Sequence, residues 1–186
     1  MQRAIERDLQ LAKLRYPKRW LTRRRDATLV ILLLNTGLRI SEVLALHLGD
    51  VEISERKGQV TVRYGKGRKQ RSVPLNKQAR QALQRWLEVR PEVPGNDYLF
   101  LPLEGDYPDG LHVRSAHRAI RRYGEDAGIM GLGPHMLRHT FAKNLVDAGG
   151  SLEKVAALLG HSSLNTTRIY ITPGQKDLER AVERLA

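Results

Sequence analysis

Residues 133–170 carry four side chains able to do polar chemistry on one phosphate: His135, Arg138, His161 and Tyr170. The stretch opens Gly133-Pro134-His135-Met136-Leu137-Arg138-His139-Thr140. It closes on Leu158-Leu159-Gly160-His161 and Thr167-Arg168-Ile169-Tyr170. Pro134 suits the first turn of a helix, where its missing N–H costs nothing. His135 and Arg138 then lie three apart, on one face near the helix start. The free N–H groups and dipole of a helix start attract anions. A cation, an imidazole and a helix start on one face point to a phosphate site. Tyr170 precedes Ile171-Thr172-Pro173-Gly174, a breaker that exposes its segment.

Two more cations stand in settings that suit phosphate chemistry. Arg39 follows a helix-ending glycine in Thr36-Gly37-Leu38-Arg39-Ile40-Ser41-Glu42. A guanidinium can grip two phosphate oxygens at once; the plainer alternative is an ion pair with Glu42. Lys66 lies in Gly65-Lys66-Gly67 at an expected hairpin tip, where flanking glycines allow close approach to a ligand. A lysine there could reach a DNA groove and donate a proton. Its plainer alternative is a solvated turn lysine, with Arg68, Lys69 and Arg71 as basic decoration of an edge strand. His135 and His139 have the i, i+4 spacing of zinc ligands. Met136 stands where a metalloprotease carries its glutamate, and spacing suggests no third ligand, so no metal site is expected. His139 is read as support for the helix or a neighbouring loop.

The elements that must position these groups follow from periodicity. Residues 2–14 space Ile5, Leu9, Ala12 and Leu14 as an amphipathic helix. Tyr16-Pro17-Lys18 breaks it, and Thr22 opens the next helix. Residues 29–34 are apolar all round, as in a central buried helix, with Gly37 as its C-cap. Ser41 is placed as the cap of a short helix carrying Val43, Leu44 and Leu46. Residues 50–53, 59–64 and 71–75 alternate as three antiparallel strands. Asn76 caps a helix reaching about Val89. Residues 91–110 read as a connecting loop with an extended piece at 98–101. Helices are expected at 112–128, 134–148, 151–159, 163–170 and 174–185. The fold class is α+β, mainly α, with a small three-stranded antiparallel sheet.

Composition narrows the partner. The 186 residues suffice for one domain with a real core. Lys and Arg number 32 against 20 acidic residues, a net charge of +12 that points to a polyanion, nucleic acid before membrane. With no cysteine, disulfides and cysteine–zinc sites are excluded. The longest apolar run, 29–34, is too short to span a bilayer, and no secretory signal opens the chain. A cytoplasmic site is the expectation.

Together these motifs resemble the tyrosine recombinase (phage integrase) family, and within it the Xer-like recombinases and their mobile-element relatives. The residues that carry the likeness are 36–42, Gly65-Lys66-Gly67, His135-Met136-Leu137-Arg138-His139, Leu159-Gly160-His161 and Tyr170. Each motif is weak alone; five in this order are specific, and they span nearly the whole chain. The resemblance implies a helical catalytic domain with a small sheet. It implies strand cleavage and rejoining on double-stranded DNA through a 3′-phosphotyrosyl intermediate, without metal, ATP or other cofactor. Tyr170 would be the nucleophile. Arg39 and Arg138 would hold the non-bridging phosphate oxygens, and His135 would be the general base. Lys66 would protonate the departing 5′ oxygen, and His161 would hydrogen-bond the phosphate. Glu42 would orient the site from behind, with His139 structural.

Family members usually carry a separate core-binding domain before the catalytic one. The expectation here is a single catalytic domain over 1–186 without it, weak and salt-dependent on DNA. Such enzymes act as homo- or hetero-tetramers on synapsed sites; the isolated domain is expected to be monomeric. Leu178, Val182 and Leu185 form an apolar stripe that would dock on a neighbouring subunit or on its own domain. Two rivals remain. Residues 151–167 also read as a helix-turn-helix with Gly160 at the turn, which explains the charge but not Arg39, Lys66, His135 and Arg138. A type IB topoisomerase would use a similar tyrosine and basic cluster.

Overall fold

The computed structural model describes residues 1–63, 70–104, 109–161 and 183. Seven α-helices are described: α1 Gln2–Arg15, α2 Pro17–Thr36, α3 Ile40–Leu44, α4 Lys77–Leu87, α5 Val113–Asp126, α6 Pro134–Asp147 and α7 Leu152–Leu159. Strands β1 Val51–Ile53, β2 Gly58–Val62 and β3 Arg71–Pro74 form an antiparallel sheet in the order β1-β2-β3. Val51 pairs with Val60, and Val60 with Val73. The expected mainly helical α+β class is what the chain adopts. The expected helices at 163–170 and 174–185 fall outside the described residues, apart from Glu183.

The core forms around α2, which packs against α1, α3, α4, α5 and α6. Leu29, Val30, Leu32 and Leu33 are all buried, while Ile31 and Leu34 on the opposite face are half-buried. Asp26 and Thr28 are buried with partners. Asp26 accepts from Arg25 at 2.7 Å and Arg122 at 3.2 Å, and Thr28 bonds the Arg24 carbonyl at 2.9 Å. Trp86 of α4 is fully buried and spends its one N–H on the Leu99 carbonyl at 2.9 Å. Val60, Val62 and Val73 carry the inner face of the sheet into the same core.

Two local expectations need correction. Pro17 does not break the chain for several residues. It occupies the first turn of α2, so one residue, Tyr16, separates α1 from α2. Ser41 lies inside α3. The N-cap is Arg39, whose own N–H is met by the Glu42 carboxylate at 2.8 Å, the glutamate half of a capping box. The extended piece expected at 98–101 begins with an isolated antiparallel bridge between Tyr98 and His47, and Leu99 N–H donates to the Leu46 carbonyl at 2.7 Å. The surrounding loop is held by Arg90, which donates to the carbonyls of Asn96 and Tyr98. Asn76 caps α4 as its type predicts, accepting from Ala79 N–H at 3.0 Å.

Gly37 determines how closely the helices that follow can approach the end of α2. Its φ is +63°, and a Cβ there would sit 2.3 Å from Phe141 Cδ1 and 2.8 Å from Leu159 Cδ2. Those two side chains belong to a small cluster joining α6 to α7. Glycine therefore lets both helices close over the end of α2. Gly37→Ala should cost about 2–4 kcal/mol, from left-handed strain and overpacking together. Urea unfolding would show this as a lower midpoint at unchanged slope; a loss under about 0.5 kcal/mol would contradict it.

Candidate active site

The ends of α2 and α7 leave backbone carbonyls without intrahelical partners, and a helix C-terminus favours cations. Two arginines from distant parts of the chain meet that need. Arg138, in the second turn of α6, is buried and donates Nη1–H to the Gly37 carbonyl at 2.6 Å and Nη2–H to the Leu159 carbonyl at 2.8 Å. Arg71, first residue of β3, donates Nε–H to the Leu158 carbonyl at 3.2 Å. A sheet residue and an α6 residue thereby tie the two helix ends together.

Glu42 is the counter-charge. Its side chain is 5% exposed, and a buried carboxylate is costly unless paired and hydrogen-bonded. It takes both terminal nitrogens of Arg71, at 3.0 and 2.8 Å, in the bidentate form suited to a guanidinium. It also accepts from Arg39 twice, Nη1–H at 3.0 Å and the backbone N–H at 2.8 Å. Burial pushes the Glu42 carboxyl up. The bonds from Arg71 and Arg39 outweigh burial and hold it below the usual range. Arg39 therefore forms the ion pair that its spacing allowed, yet 34% of its side chain stays open to solvent, against 14% for Arg71.

His161, just past the left-handed cap residue Gly160, faces Arg138, with Nε2 2.9 Å from Nη2. A guanidinium has only donors, so Nε2 is the acceptor and the neutral ring carries its proton on Nδ1. Burial, then Arg138, Arg39 and Arg71, lowers the imidazole to about pKa 4, with Glu42 opposing. His161 is thus neutral at physiological pH and serves as a hydrogen-bonding group rather than a charge.

Of the expected site residues, the fold brings together Arg39, Glu42, Arg138 and His161. His135 is exposed in the first turn of α6, and His139 is exposed further along that helix. Lys66 and Tyr170 lie outside the described residues. Sequence reasoning missed Arg71, taking it for basic decoration. The signal was in the strand period: Arg71, Val73 and Leu75 fall on one face, and the latter two are buried.

The depressed His161 pKa has a consequence for stability. Between about pH 6.5 and 4 the unfolded chain binds a proton at this imidazole that the folded chain refuses. This contribution is complete above pH 6.5 and is lost as the pH falls toward 4. His161→Gln should flatten the fall in stability over that window relative to wild type. Parallel denaturation curves at pH 4.5 and 7 would test this; an equal pH dependence in both proteins would contradict it.

The chain matches the phage integrase family over residues 14–176. It is 43% identical over 148 residues to tyrosine recombinase XerC of Corynebacterium efficiens, covering 79% of this chain and 46% of that protein. A crystal structure of XerA recombinase superposes with a TM-score of 0.77 at 28% identity, over 99% of this chain and 61% of the other. XerH site-specific recombinase, in a pre-cleavage complex with its difH substrate, gives a TM-score of 0.73 at 33% identity, over 87% of this chain and 47% of the other. The chain spans about half the length of the curated relatives it matches. By the extent of the match and by these relatives, it belongs to the phage integrase family of tyrosine recombinases.

Proposed function

We propose that this chain is the catalytic domain of a site-specific DNA recombinase, cutting and rejoining double-stranded DNA through a 3′-phosphotyrosyl ester. The observation that carries the reading is the built pair of guanidiniums, Arg39 and Arg138, joined at two helix ends with a neutral His161. The net charge of +12 favours a polyanion, and the related XerH is a recombinase seen with a DNA substrate. A helix-turn-helix role for 151–167 accounts for none of the Arg39–Glu42–Arg71 network.

The chemistry divides among the residues as follows. A free phenol has a pKa near 10, so only about a thousandth is ionised at neutral pH. His135, exposed at the start of α6, takes the proton of Tyr170. The phenolate oxygen attacks phosphorus, and the bond to the 5′ oxygen breaks. Lys66 protonates that oxygen as it leaves. Arg39 and Arg138 stabilise the charge that builds on the non-bridging oxygens, which requires no metal. His161 donates Nδ1–H to the phosphate, Glu42 holds Arg39, and His139 supports α6. The phosphotyrosyl ester preserves the bond energy, so a 5′ hydroxyl from the same or another strand reverses the step without ATP or cofactor. Exchange between synapsed sites takes four such domains, as a homo- or hetero-tetramer. One domain alone is a monomer on DNA, bound weakly and salt-sensitively through phosphates in the cytoplasm.

The test uses nicked duplexes with a randomised centre, incubated with the protein without metal and resolved under denaturing conditions. Wild type should leave a protein–DNA adduct, whose sequencing gives the site. Tyr170→Phe should abolish the adduct with the fold intact. Removing either guanidinium, as Arg39→Ala or Arg138→Ala, should slow adduct formation by about 10²–10³. An adduct persisting in Tyr170→Phe would put the nucleophile elsewhere. Relaxation of supercoils by single protomers without paired-site exchange would favour the type IB topoisomerase reading.

A further inference from the structure

We propose that Arg71 is a positioning residue for strand cleavage: it braces the Glu42–Arg39 pair against the end of α7 and so sets how Arg39 meets the scissile phosphate. This rests on the reading above, in which Arg39 grips that phosphate.

All three guanidinium nitrogens of Arg71 are engaged: Nε with the Leu158 carbonyl, Nη1 and Nη2 with the two oxygens of Glu42. Its side chain is 14% exposed, against 34% for Arg39. A group so committed is poorly placed to bind a phosphate itself and well placed to hold something that does. What it holds is Glu42, whose other hydrogen bonds go to the backbone and side chain of Arg39. The guanidinium also lies against Gly160. A Cβ there would fall 2.9 Å from Arg71 Cζ, and φ at that residue is +66°. Glycine before His161 thus has a steric reason: it makes room for the brace. Arg71 pairs with Val62 in the β2–β3 ladder, and the chain joining those strands carries Lys66. One side chain therefore joins the sheet, the Arg39 turn and the residue preceding His161.

The test compares wild type with Arg71→Gln and Arg71→Lys, with Arg39→Ala and Tyr170→Phe as controls. Amide hydrogen exchange reads the brace without any substrate. Arg71→Gln should speed exchange at residues 40–44 and 158–161 and leave α4 unchanged; unchanged exchange in both segments would overturn the proposal. Single-turnover adduct formation reads the consequence, on nicked duplexes recovered from the randomised library. The scissile group is either phosphate or methylphosphonate, in which a methyl removes one non-bridging oxygen and the negative charge. Arg71→Gln should slow cleavage about a hundredfold on phosphate and about tenfold less severely on methylphosphonate, in parallel with Arg39→Ala. Arg71→Lys should be nearly as slow, because one ammonium cannot replace three directed nitrogens. Equal losses on both substrates, or full rescue by lysine, would overturn positioning through Arg39. If wild type gives no Tyr170-dependent adduct, or Arg39→Ala loses nothing on phosphate, the catalytic reading falls and this proposal with it. If those controls behave and the Arg71 variants alone do not, only this proposal falls.

Discussion

Arg39, Arg71 and Arg138 bring three guanidiniums to the ends of two helices, and like charges held so close repel unless something answers them. Glu42 answers two of them with a full negative charge. The carbonyls of Gly37, Leu158 and Leu159 answer with the negative ends of helix dipoles. His161 answers by giving up its proton, its pKa falling to about 4. Among the described residues, three cations less one carboxylate leave two positive charges in the site. A phosphodiester brings one negative charge, and attack by a phenolate adds a second as the new bond forms. The residual charge therefore matches the transition state of the proposed reaction better than its ground state, the condition for accelerating the chemical step.

That charge balance depends on backbone approaching backbone. Gly37 allows Phe141 and Leu159 to close on the end of α2, and Gly160 allows Arg71 to lie against the end of α7. A side chain at Gly37 would drive into Phe141 and Leu159, and one at Gly160 would displace the Arg71 guanidinium. The buried half of α2 contributes by packing against five other helices, so the turn it feeds into Arg39 starts from a well-held point.

How legible this was in the sequence varied with the range of the interaction. Helix and strand periods, the Asn76 cap and the order of elements are local, and they came through. So did Arg39 beside Glu42, three residues apart. The start of α2 at Pro17 and the capping of α3 by Glu42 were misread, because Pro17 was taken as a breaker and Ser41 as a cap, although proline also suits a first turn and a glutamate three residues on can meet the N-cap N–H. Arg71 was missed because its partners lie 29 and 87 residues away, and nothing in a run of basic residues marks one member as facing inward. Strand alternation held that information, through Val73 and Leu75, but only a paired carboxylate on the other side gives it meaning. Lys66 and Tyr170 were singled out only through the order of motifs and lie outside the described residues; their local sequence alone would suit an ordinary turn and an ordinary helix.

Burial across the site follows the work proposed for each group. Arg138 and Glu42 are buried and locked by several bonds, Arg71 nearly so, Arg39 is a third exposed, and His135 lies in the open on α6. Groups that stabilise charge gain from a fixed orientation and low dielectric, since no reorganisation is then needed as charge develops. A group that exchanges a proton with an incoming nucleophile gains nothing from being locked to its own domain and must stay reachable. The turn carrying Arg39 lies between these extremes, open enough to meet the proposed DNA substrate and held from behind by a carboxylate that is itself held. This graded exposure follows from building an electrostatic cradle at helix ends, where each side chain begins in the core and finishes at the surface.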